Sequence, residues 1–481
     1  MSSAAHRRNQ VLLPASALFG LALILYGLCQ ASLPEILSGL YTIFTVEDVL
    51  ITDYIAVGGI GAAFVNAGLV TLVSTLILEK WDDTPNGATM VTVGLMAGFS
   101  LFGKNLVNMW PIFFGTVFYA LVKGERFTAH VNLALRGTAL APMVSFMAVR
   151  FHPWLGVVMG LAVGFLLPPV AEHAHRVQNG MNLYSVGFSC GLLAMMMVPA
   201  FKAFGLDPAA AHHWSTGGNV RLGLALAALC AVLIAAGLSR GPGQVLRRYW
   251  ALLHTSGRVP SDYVRTFTPG PVLVNMGVNG LIATGYIVLT GGDLNGATIG
   301  AIFTILGFSG YGKHAFNIVP VMAGVLLGSL TNHVDPNSSS LQLAGLFGTT
   351  LAPFAGVFGW PFGVLAGLLH SSVVLQAGLP LEGMNLYNNG FSGGLVAIVL
   401  YPILTSLVER RRPVLMEEDL FAMFDSNEPQ PPEDLPGRER RQEERRSGRD
   451  RRSGEGSWTG EERRSGRGRR TEGERRSEKQ E

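Results

Sequence analysis

Charged residues are scarce over most of this sequence. They make up 14% of its 481 residues, and the segment 413–481 alone holds 16 of the 36 Lys and Arg and 18 of the 33 Asp and Glu. The first 412 residues are left with 20 basic and 15 acidic side chains, too few to cover the surface of a soluble protein of that length. The composition therefore excludes a soluble globular enzyme.

Cysteine is almost absent as well. Cys29, Cys190 and Cys230 are the only three, and each lies in an apolar run, which excludes a disulfide-stapled secreted domain. The sequence also lacks a G-x-x-x-x-G-K-[ST] loop, which excludes an ATP-driven pump within this chain.

Apolar residues are what the sequence has in abundance, at 49%. They form fourteen runs of roughly membrane-spanning length. The runs predict helices, because a transmembrane barrel would show short alternating strands instead. The predicted fold class is all-α, a polytopic membrane protein. The fourteen segments are 11–30, 54–79, 87–102, 106–123, 131–149, 154–171, 182–203, 220–239, 266–289, 295–311, 315–332, 339–357, 360–378 and 386–408.

The first half of the chain is repeated in the second. The window 86–115 matches 295–324 with 12 of 30 positions identical. The stretch "GMNLYSVGFSCGLLA" at 180–194 matches "GMNLYNNGFSGGLVA" at 383–397 with 11 of 15 identical, and "GTALAP" recurs as "GTTLAP". The core is therefore predicted to be two copies of one seven-segment unit.

An odd number of segments per copy predicts that the second copy lies upside down in the membrane. Lys and Arg collect in cytoplasmic loops, and the connection 31–53 has none, whereas its counterpart 240–265 has five arginines. Both termini are then cytoplasmic. Such inverted-topology repeats are typical of secondary transporters and of some channels. The predicted organisation is a cytoplasmic N-terminus (1–10), two transmembrane repeats (11–209 and 210–412) and a disordered, charged cytoplasmic tail (413–481).

The segments 87–102 and 106–123 admit two arrangements. They cross the membrane twice, or they form a re-entrant hairpin that enters and leaves on one side, and either choice keeps the odd count. The first arm is short, and "GFSLFGKN" is rich in glycine, as is "GFSGYGKH" in the second copy. Short, glycine-interrupted segments at matched positions of two halves indicate a transport site.

Lys104 and Lys313 are the first candidates for substrate binding. A lysine between two apolar segments is costly if it lies in hydrocarbon, and this one recurs in both copies. The alternative is that each lysine snorkels to a headgroup at a helix end. Positive-inside sorting cannot favour both, because the two copies face opposite sides. Together with helix N-termini, the pair would form an anion-attracting site near the midplane.

Asparagine side chains form a second set of candidates for substrate binding. Taken singly, each amide fits a bridge between helices, but four repeated pairs, each beside Gly or Pro, indicate that some line a polar path. The pairs are Asn66 and Asn275, Asn86 and Asn295, Asn108 and Asn317, and Asn182 and Asn385.

Carboxylates are scarce within the predicted spans. Asp53 and Asp262 stand at segment starts, and Glu172 and Glu382 lie near loops, so the sequence shows no buried proton relay. Sodium coupling through carbonyl and amide groups stays open, as does transport without a coupling ion.

Two other patterns are not interpreted as functional. "GFSCG" and "GFSGG" match the G-x-S-x-G nucleophile elbow, but they lie in apolar spans, where packing through small residues explains them. The pairs His173-x-His175 and His212-His213 have no evident third metal ligand. The sequence thus predicts no catalytic residue, no metal site and no cofactor.

The motifs "NGATxxxxxxxxGFSxxGK", "GTxLAP" and "GMNLYxxGFSxGL" resemble an uncharacterised bacterial family of multi-spanning membrane proteins, domain of unknown function 1576. The resemblance covers roughly residues 10–410 and leaves the Arg- and Glu-rich tail as an extension. It implies a bacterial cytoplasmic membrane protein and supplies no activity. The Asn- and Gly-rich layout is also loosely similar to urea-channel-like proteins.

These features predict a transporter that moves a small polar, anionic solute by alternating access between inverted repeats, without enzymatic activity. A passive urea-channel-like pore is the nearest alternative, and a membrane-embedded enzyme or scaffold is the other. The expected partners are the lipid bilayer, the solute, a coupling ion and further copies of the chain, with no nucleic acid.

Overall fold

Every regular element in the described part of the chain is a helix. The fold is known from a computed structural model that describes residues 3–208, 212–332 and 334–408. Within these residues, extended backbone pairs only in two isolated bridges, Thr52 with His213 and Asp53 with Phe102. The all-α fold class is therefore confirmed there. The predicted disordered tail, 413–481, lies outside the described residues.

The first half folds into α-helices whose breaks follow from proline and glycine. Pro142 stands in the first turn of α7, where its ring and missing N–H prevent α6 from continuing, and a 3-10 turn joins the two. The helices are α1 (Ser3–Leu28), α2 (Leu33–Thr45), α3 (Tyr54–Trp81), α4 (Gly87–Phe99), α5 (Trp110–Lys123), α6 (Val131–Gly137), α7 (Ala141–Arg150), α8 (Pro153–Val177) and α9 (Ser185–Ala203).

The second half repeats this order with matching breaks. Pro353 stands at the break between α16 and α17, as Pro142 stands at the break between α6 and α7. The kink of α3 at Gly59 (φ 81°) recurs at Thr268 (φ 66°), which separates α12 from α13. The helices are α10 (Asn219–Leu238), α11 (Pro242–Leu252), α12 (Tyr263–Thr266), α13 (Pro269–Leu289), α14 (Gly296–Phe308), α15 (Ala315–Asn332), α16 (Ser339–Phe347), α17 (Ala352–Phe358), α18 (Trp360–Ala377) and α19 (Asn388–Leu407).

The helices account for all fourteen predicted segments. In the described residues, nine helices are long and apolar enough to cross a membrane, with α6–α7 and α16–α17 each counted as one. A tenth span results if α1 and α2, which meet at 114°, are taken together. The remaining four segments are the shorter apolar helices α4, α5, α14 and α15. The chain is a multi-pass membrane protein.

The connections 31–53 and 240–265 contain two helices that the segment prediction leaves out, α2 and α11. In α2, Ile36 and Ile43 are buried, whereas Leu37 and Tyr41 are exposed. A short helix with apolar side chains exposed beside polar ones fits the interface between headgroups and hydrocarbon. With 13 and 11 residues, each helix alone is too short for a spanning segment, which is why the pattern of long apolar runs does not predict them.

The short helices α4 and α14 cross each other in antiparallel directions in the buried interior. Glycine permits this approach, because a Cβ on Gly98 would lie 2.3 Å from the Gly300 carbonyl oxygen, and one on Gly87 would lie 2.3 Å from that of Gly310. Each helix has 13 residues. Their length of about 20 Å is less than the roughly 30 Å of hydrocarbon in a bilayer. The main packing partner of α4 is α14 and not α5, so α4 and α5 do not form a closely packed hairpin.

Each short helix is capped by a carboxylate from the other half. The amide of Gly296, at the start of α14, donates to Asp53 Oδ1 over 3.0 Å. The amide of Gly87, at the start of α4, donates to Asp262 Oδ1 over the same 3.0 Å. A negative charge at a helix N-terminus is favourable because it satisfies free N–H groups and opposes the helix dipole. The two halves are therefore joined by reciprocal contacts.

Candidate functional site

Lys104 and Lys313 lie in matched turns that follow α4 and α14. Each lysine comes after a glycine with positive φ, Gly103 (φ 76°) and Gly312 (φ 95°), a conformation that glycine adopts without steric cost. Both lysine side chains are completely buried, at 0% exposure. The alternative in which they snorkel to headgroups is therefore wrong in this conformation, because neither ammonium reaches the surface.

Asn66 and Asn275 fasten these turns to α3 and α13. The Asn66 amide donates to the carbonyls of Ser100 (2.8 Å) and Lys104 (3.1 Å). In the second half, the Asn275 amide donates to the matching carbonyls of Ser309 (2.8 Å) and Lys313 (2.7 Å). The carbonyl groups freed by the end of each short helix are thus satisfied by a side chain. The Oδ1 atoms of both asparagines are buried without a hydrogen-bond partner in the described residues.

Asn108 and Asn317 donate hydrogen bonds to backbone carbonyls within the same turns. Asn108 Nδ2 donates to the Gly103 carbonyl (3.3 Å), and Asn317 Nδ2 donates to that of Gly312 (2.8 Å). Asn86 and Asn295 instead cap the N-termini of α4 and α14, accepting from the amides two residues further on over 2.7 and 3.1 Å.

Asn182 and Asn385 link α9 and α19 reciprocally. Asn182 Nδ2 donates to the Gly390 carbonyl (3.1 Å), and Asn385 Nδ2 donates to the Gly187 carbonyl (3.3 Å). All eight candidate asparagines therefore bind backbone groups, which fits the bridging interpretation. Substrate binding by these amides stays a prediction.

Two tyrosines connect the lysine sites. Tyr184 and Tyr387 precede α9 and α19 at matched positions of the "GMNLY" motif, and their ring centroids are 4.7 Å apart. Tyr184 also packs on Phe308 (4.7 Å) and Tyr387 packs on Phe99 (5.1 Å). Each phenylalanine faces the lysine of its own half, with the ammonium 5.1 Å from the Phe99 centroid and 5.2 Å from that of Phe308. The centre is therefore a buried chain of two ammonium groups joined by aromatic rings.

The two lysines have different partners. Lys313 Nζ donates to the Tyr184 hydroxyl and, over 2.7 Å, to Thr349 Oγ1. In the part of the chain that the structure describes, Lys104 Nζ contacts the Met96 sulfur at 3.4 Å and the Phe99 ring, with no oxygen acceptor. Within the described residues neither forms an ion pair with a carboxylate.

Tyr387, the counterpart of Tyr184, has a buried hydroxyl group with no hydrogen-bond partner in the described part of the chain. Cys190 lies within electrostatic reach of Lys104 and of Tyr387. The first-half end of the centre thus holds an ammonium that donates to a thioether and a hydroxyl group without a hydrogen-bond partner in the described residues. The second-half end has its ammonium and hydroxyl paired.

Two pairs of residues beside the centre differ at matched positions. Arg136 and Tyr311 are partly exposed, and Arg136 lies within electrostatic reach of both Tyr311 and Tyr387. The matched positions hold Phe347 and Phe102, which are buried and pack against each other with ring centroids 6.5 Å apart. One pair therefore consists of a cation and a phenol, and the other of two phenylalanine rings.

Sequence reasoning missed Arg136, Tyr184 and Tyr387. The tyrosines belong to a motif that recurs in both halves, so the repeat itself was a usable signal. Arg136 has no basic counterpart, because Phe347 takes its place, and a search guided by duplication passes over it.

The fold and this centre define a class: an all-helical, multi-pass membrane protein whose interior holds buried lysines in matched turns. The chain belongs to the family described as Protein of unknown function (DUF1576), which it matches over residues 32–203 and 242–406. The two matched stretches begin at α2 and α11, directly after the first long helix of each half. Neither a curated protein nor a solved structure matches the chain.

Proposed function

We propose that this protein is a transporter of small anions and that the solute binds between Lys104 and Lys313. The observation that carries the proposal is the pair of completely buried ammonium groups with no carboxylate partner in the described residues. A buried charge is costly unless it is paired, and intramembrane lysines without a carboxylate partner point to an ion pathway. A bound anion would supply the missing partner.

The chemistry of the first-half end supports an anionic ligand. The Lys104 ammonium and the Tyr387 hydroxyl can both donate. Arg136, whose guanidinium also donates to Thr92 Oγ1 and to the Ala88 carbonyl, lies within electrostatic reach of Tyr387. Such donors suit carboxylate, phosphate or sulfate oxygens. An anion forms a charge-assisted contact with the ammonium, which a neutral solute such as urea does not, and this favours the anion transporter over a urea-channel-like pore.

The difference between these two pairs supports alternating access. Arg136 and Tyr311 are polar and partly exposed, while Phe102 and Phe347 are buried apolar rings. In the proposed cycle the solute reaches the centre past one pair and leaves it past the other, as inverted repeats allow. The reciprocal contacts of α4 with α14 and of α9 with α19 support this two-fold relationship, because a two-fold axis exchanges contacts in this manner.

The proposed location is the cytoplasmic membrane of a bacterium, with both termini in the cytoplasm. The support is the family resemblance together with the arginine-rich connection 240–265, which contains α11. The proposal involves no enzymatic step.

Flux measurements on purified protein in liposomes test the proposal. We expect saturable uptake of one anion from a panel of phosphate, sulfate and short carboxylates. Counterflow of labelled anion against unlabelled anion is also expected, because a carrier exchanges its solute. Flux that does not saturate and shows no counterflow would indicate that the protein is a pore instead. Transport of urea with no transport of any anion would support the urea-channel-like alternative.

A further inference from the structure

Asp48 is a buried carboxylate in the connection between α2 and α3. Its side chain is 0% exposed. Oδ1 accepts a hydrogen bond from the Tyr54 hydroxyl (2.8 Å), and Oδ2 accepts from Ser145 Oγ (2.7 Å), Asn108 Nδ2 (3.0 Å) and, at longer range, Asn105 Nδ2 (3.4 Å). The donors come from α3, α7 and the turn that follows α4. Asp48 and its donors Tyr54, Ser145, Asn108 and Asn105 thus form one buried cluster.

No cation balances this acid within the described residues. Glu47 and Arg150 pair with each other at the surface over 3.1 Å, and neither contacts Asp48. Tyr54 is the titratable side chain that faces the carboxylate. Asp48 lies outside the membrane-spanning helices. Burial raises the pKa of its carboxyl group to about 7, although the hydrogen bonds from Ser145, Tyr54 and Asn108 act in the opposite direction.

The second half folds without this cluster. The position that matches Asp48 is Gly257, where a Cβ would lie 2.5 Å from Asn317 Nδ2, the counterpart of the amide that Asp48 binds. His314 replaces Asn105 and Gly356 replaces Ser145. The repeat architecture therefore does not require the acid, and its presence in one half calls for a separate explanation.

The orientation of the two amides selects a proton over a metal cation. Asn105 Oδ1 accepts from the amides of Val107 and Asn108, both over 2.9 Å, and Asn108 Oδ1 accepts from the Asn105 amide over 2.9 Å. These bonds fix the NH₂ groups toward Asp48. Sodium would need oxygen lone pairs there, whereas N–H groups repel it. A proton bound to the carboxylate needs no such ligands.

The cluster is joined to the lysine site. Asn105 directly follows Lys104 in the chain, and Asn108 Nδ2 bridges Asp48 Oδ2 and the Gly103 carbonyl. The turn that positions Lys104 is therefore tethered to the carboxylate. The equivalent turn around Lys313 has no such tether, because a glycine stands in the place of the acid.

We propose that Asp48 binds and releases the proton that drives transport, an inference that rests on the proposed anion transporter and names its coupling ion. The step is the addition of one proton to the carboxylate, which gives a neutral carboxylic acid. The acid accepts fewer hydrogen bonds than the carboxylate, so the tether to Asn105 and Asn108 weakens and the Lys104 turn is released. An anion and a proton then enter together, which reduces the net charge that is moved.

The test compares Asp48→Asn with Glu47→Gln, a matched control at the neighbouring acid, which is partly exposed and paired with Arg150. In liposomes with an imposed pH gradient, wild type and Glu47→Gln are expected to accumulate the anion. Asp48→Asn should lose accumulation but retain counterflow without a gradient, because exchange needs no net proton movement. Accumulation by Asp48→Asn equal to wild type overturns the inference. A requirement for sodium at constant pH overturns it as well.

A second measurement does not depend on the substrate and separates this inference from the proposed function. An acid whose pKa is raised on folding stabilises the protein at low pH, and this contribution is lost as the pH rises through about 7. The unfolding temperature of wild type relative to Asp48→Asn should therefore fall as the pH rises from 5 to about 8. A constant difference across this range contradicts proton binding by Asp48, even if no anion is transported.

A further variant keeps the test decisive if Asp48→Asn does not fold. Ser145→Gly places the residue of the second half at this position and removes one hydrogen bond that favours the ionised carboxylate. The midpoint of the pH dependence of uptake and of stability is expected to move to higher pH. An unchanged midpoint would contradict the role of the cluster.

Discussion

Lys104→Met is expected to leave the unfolding temperature of the empty protein unchanged or higher, and to abolish its stabilisation by anions. In the described residues the ammonium donates only to the Met96 thioether and faces the Phe99 ring, so its removal leaves no oxygen acceptor unpaired and relieves a buried charge. A ligand at a hundredfold excess over its Kd stabilises wild type by about 2.7 kcal/mol, and this gain should be lost.

Lys313→Met is the matched comparison and should behave differently. Its ammonium donates to Tyr184 and Thr349, so the substitution removes two buried hydrogen bonds and leaves both hydroxyl oxygens without their charged donor. The cost is expected to be about 1–3 kcal/mol of unfolding free energy. Thermal unfolding in detergent, with and without each anion of the panel, measures both effects. If anions still stabilise both variants, the two lysines do not bind the anion.

Gly98→Ala is expected to destabilise the protein by about 3 kcal/mol, because the added methyl group pushes two backbones apart. The new Cβ would lie 2.3 Å from the Gly300 carbonyl oxygen, in the crossing of α4 and α14. Gly285→Ala is the control. It makes the same change in helix α13, where nothing lies within 4 Å of the new Cβ. We expect the control to stabilise the helix by about 0.8–1 kcal/mol.

Unfolding in mixed micelles measures both glycine variants. Gly300→Ala places its Cβ 2.5 Å from the Gly98 carbonyl oxygen and should reproduce the loss from the other side. If the Gly98→Ala protein is as stable as the Gly285→Ala protein, α4 and α14 do not pack closely at Gly98.

The helical segments could be predicted from the sequence because each contains a long apolar run. The helices α2 and α11 could not, since with 13 and 11 residues neither is long enough to span. The duplicated "FGK" and "YGK" turns pointed to Lys104 and Lys313, and the structure buries both. Nothing in the pattern showed their partners, which come from helices distant in the chain.

The residues that sequence reasoning missed are chiefly those without a duplicate. Asp48 lies in the connection 31–53, outside every predicted segment, and its counterpart is Gly257. Arg136 has Phe347 as its counterpart. Duplication identifies what the two halves need in order to fold together. The residues that make the halves different emerge only from the three-dimensional arrangement.

The central claim is that the two halves face opposite sides of the membrane around one shared site. Cysteine labelling at matched, exposed positions tests it most directly: Thr45→Cys at the end of α2 and His254→Cys just after α11. Cys29, the exposed native cysteine, is first replaced by serine. With an impermeant maleimide on intact cells, we expect Thr45→Cys to label and His254→Cys to label only after the membrane is opened. Labelling of both positions from the same side would contradict the inverted arrangement.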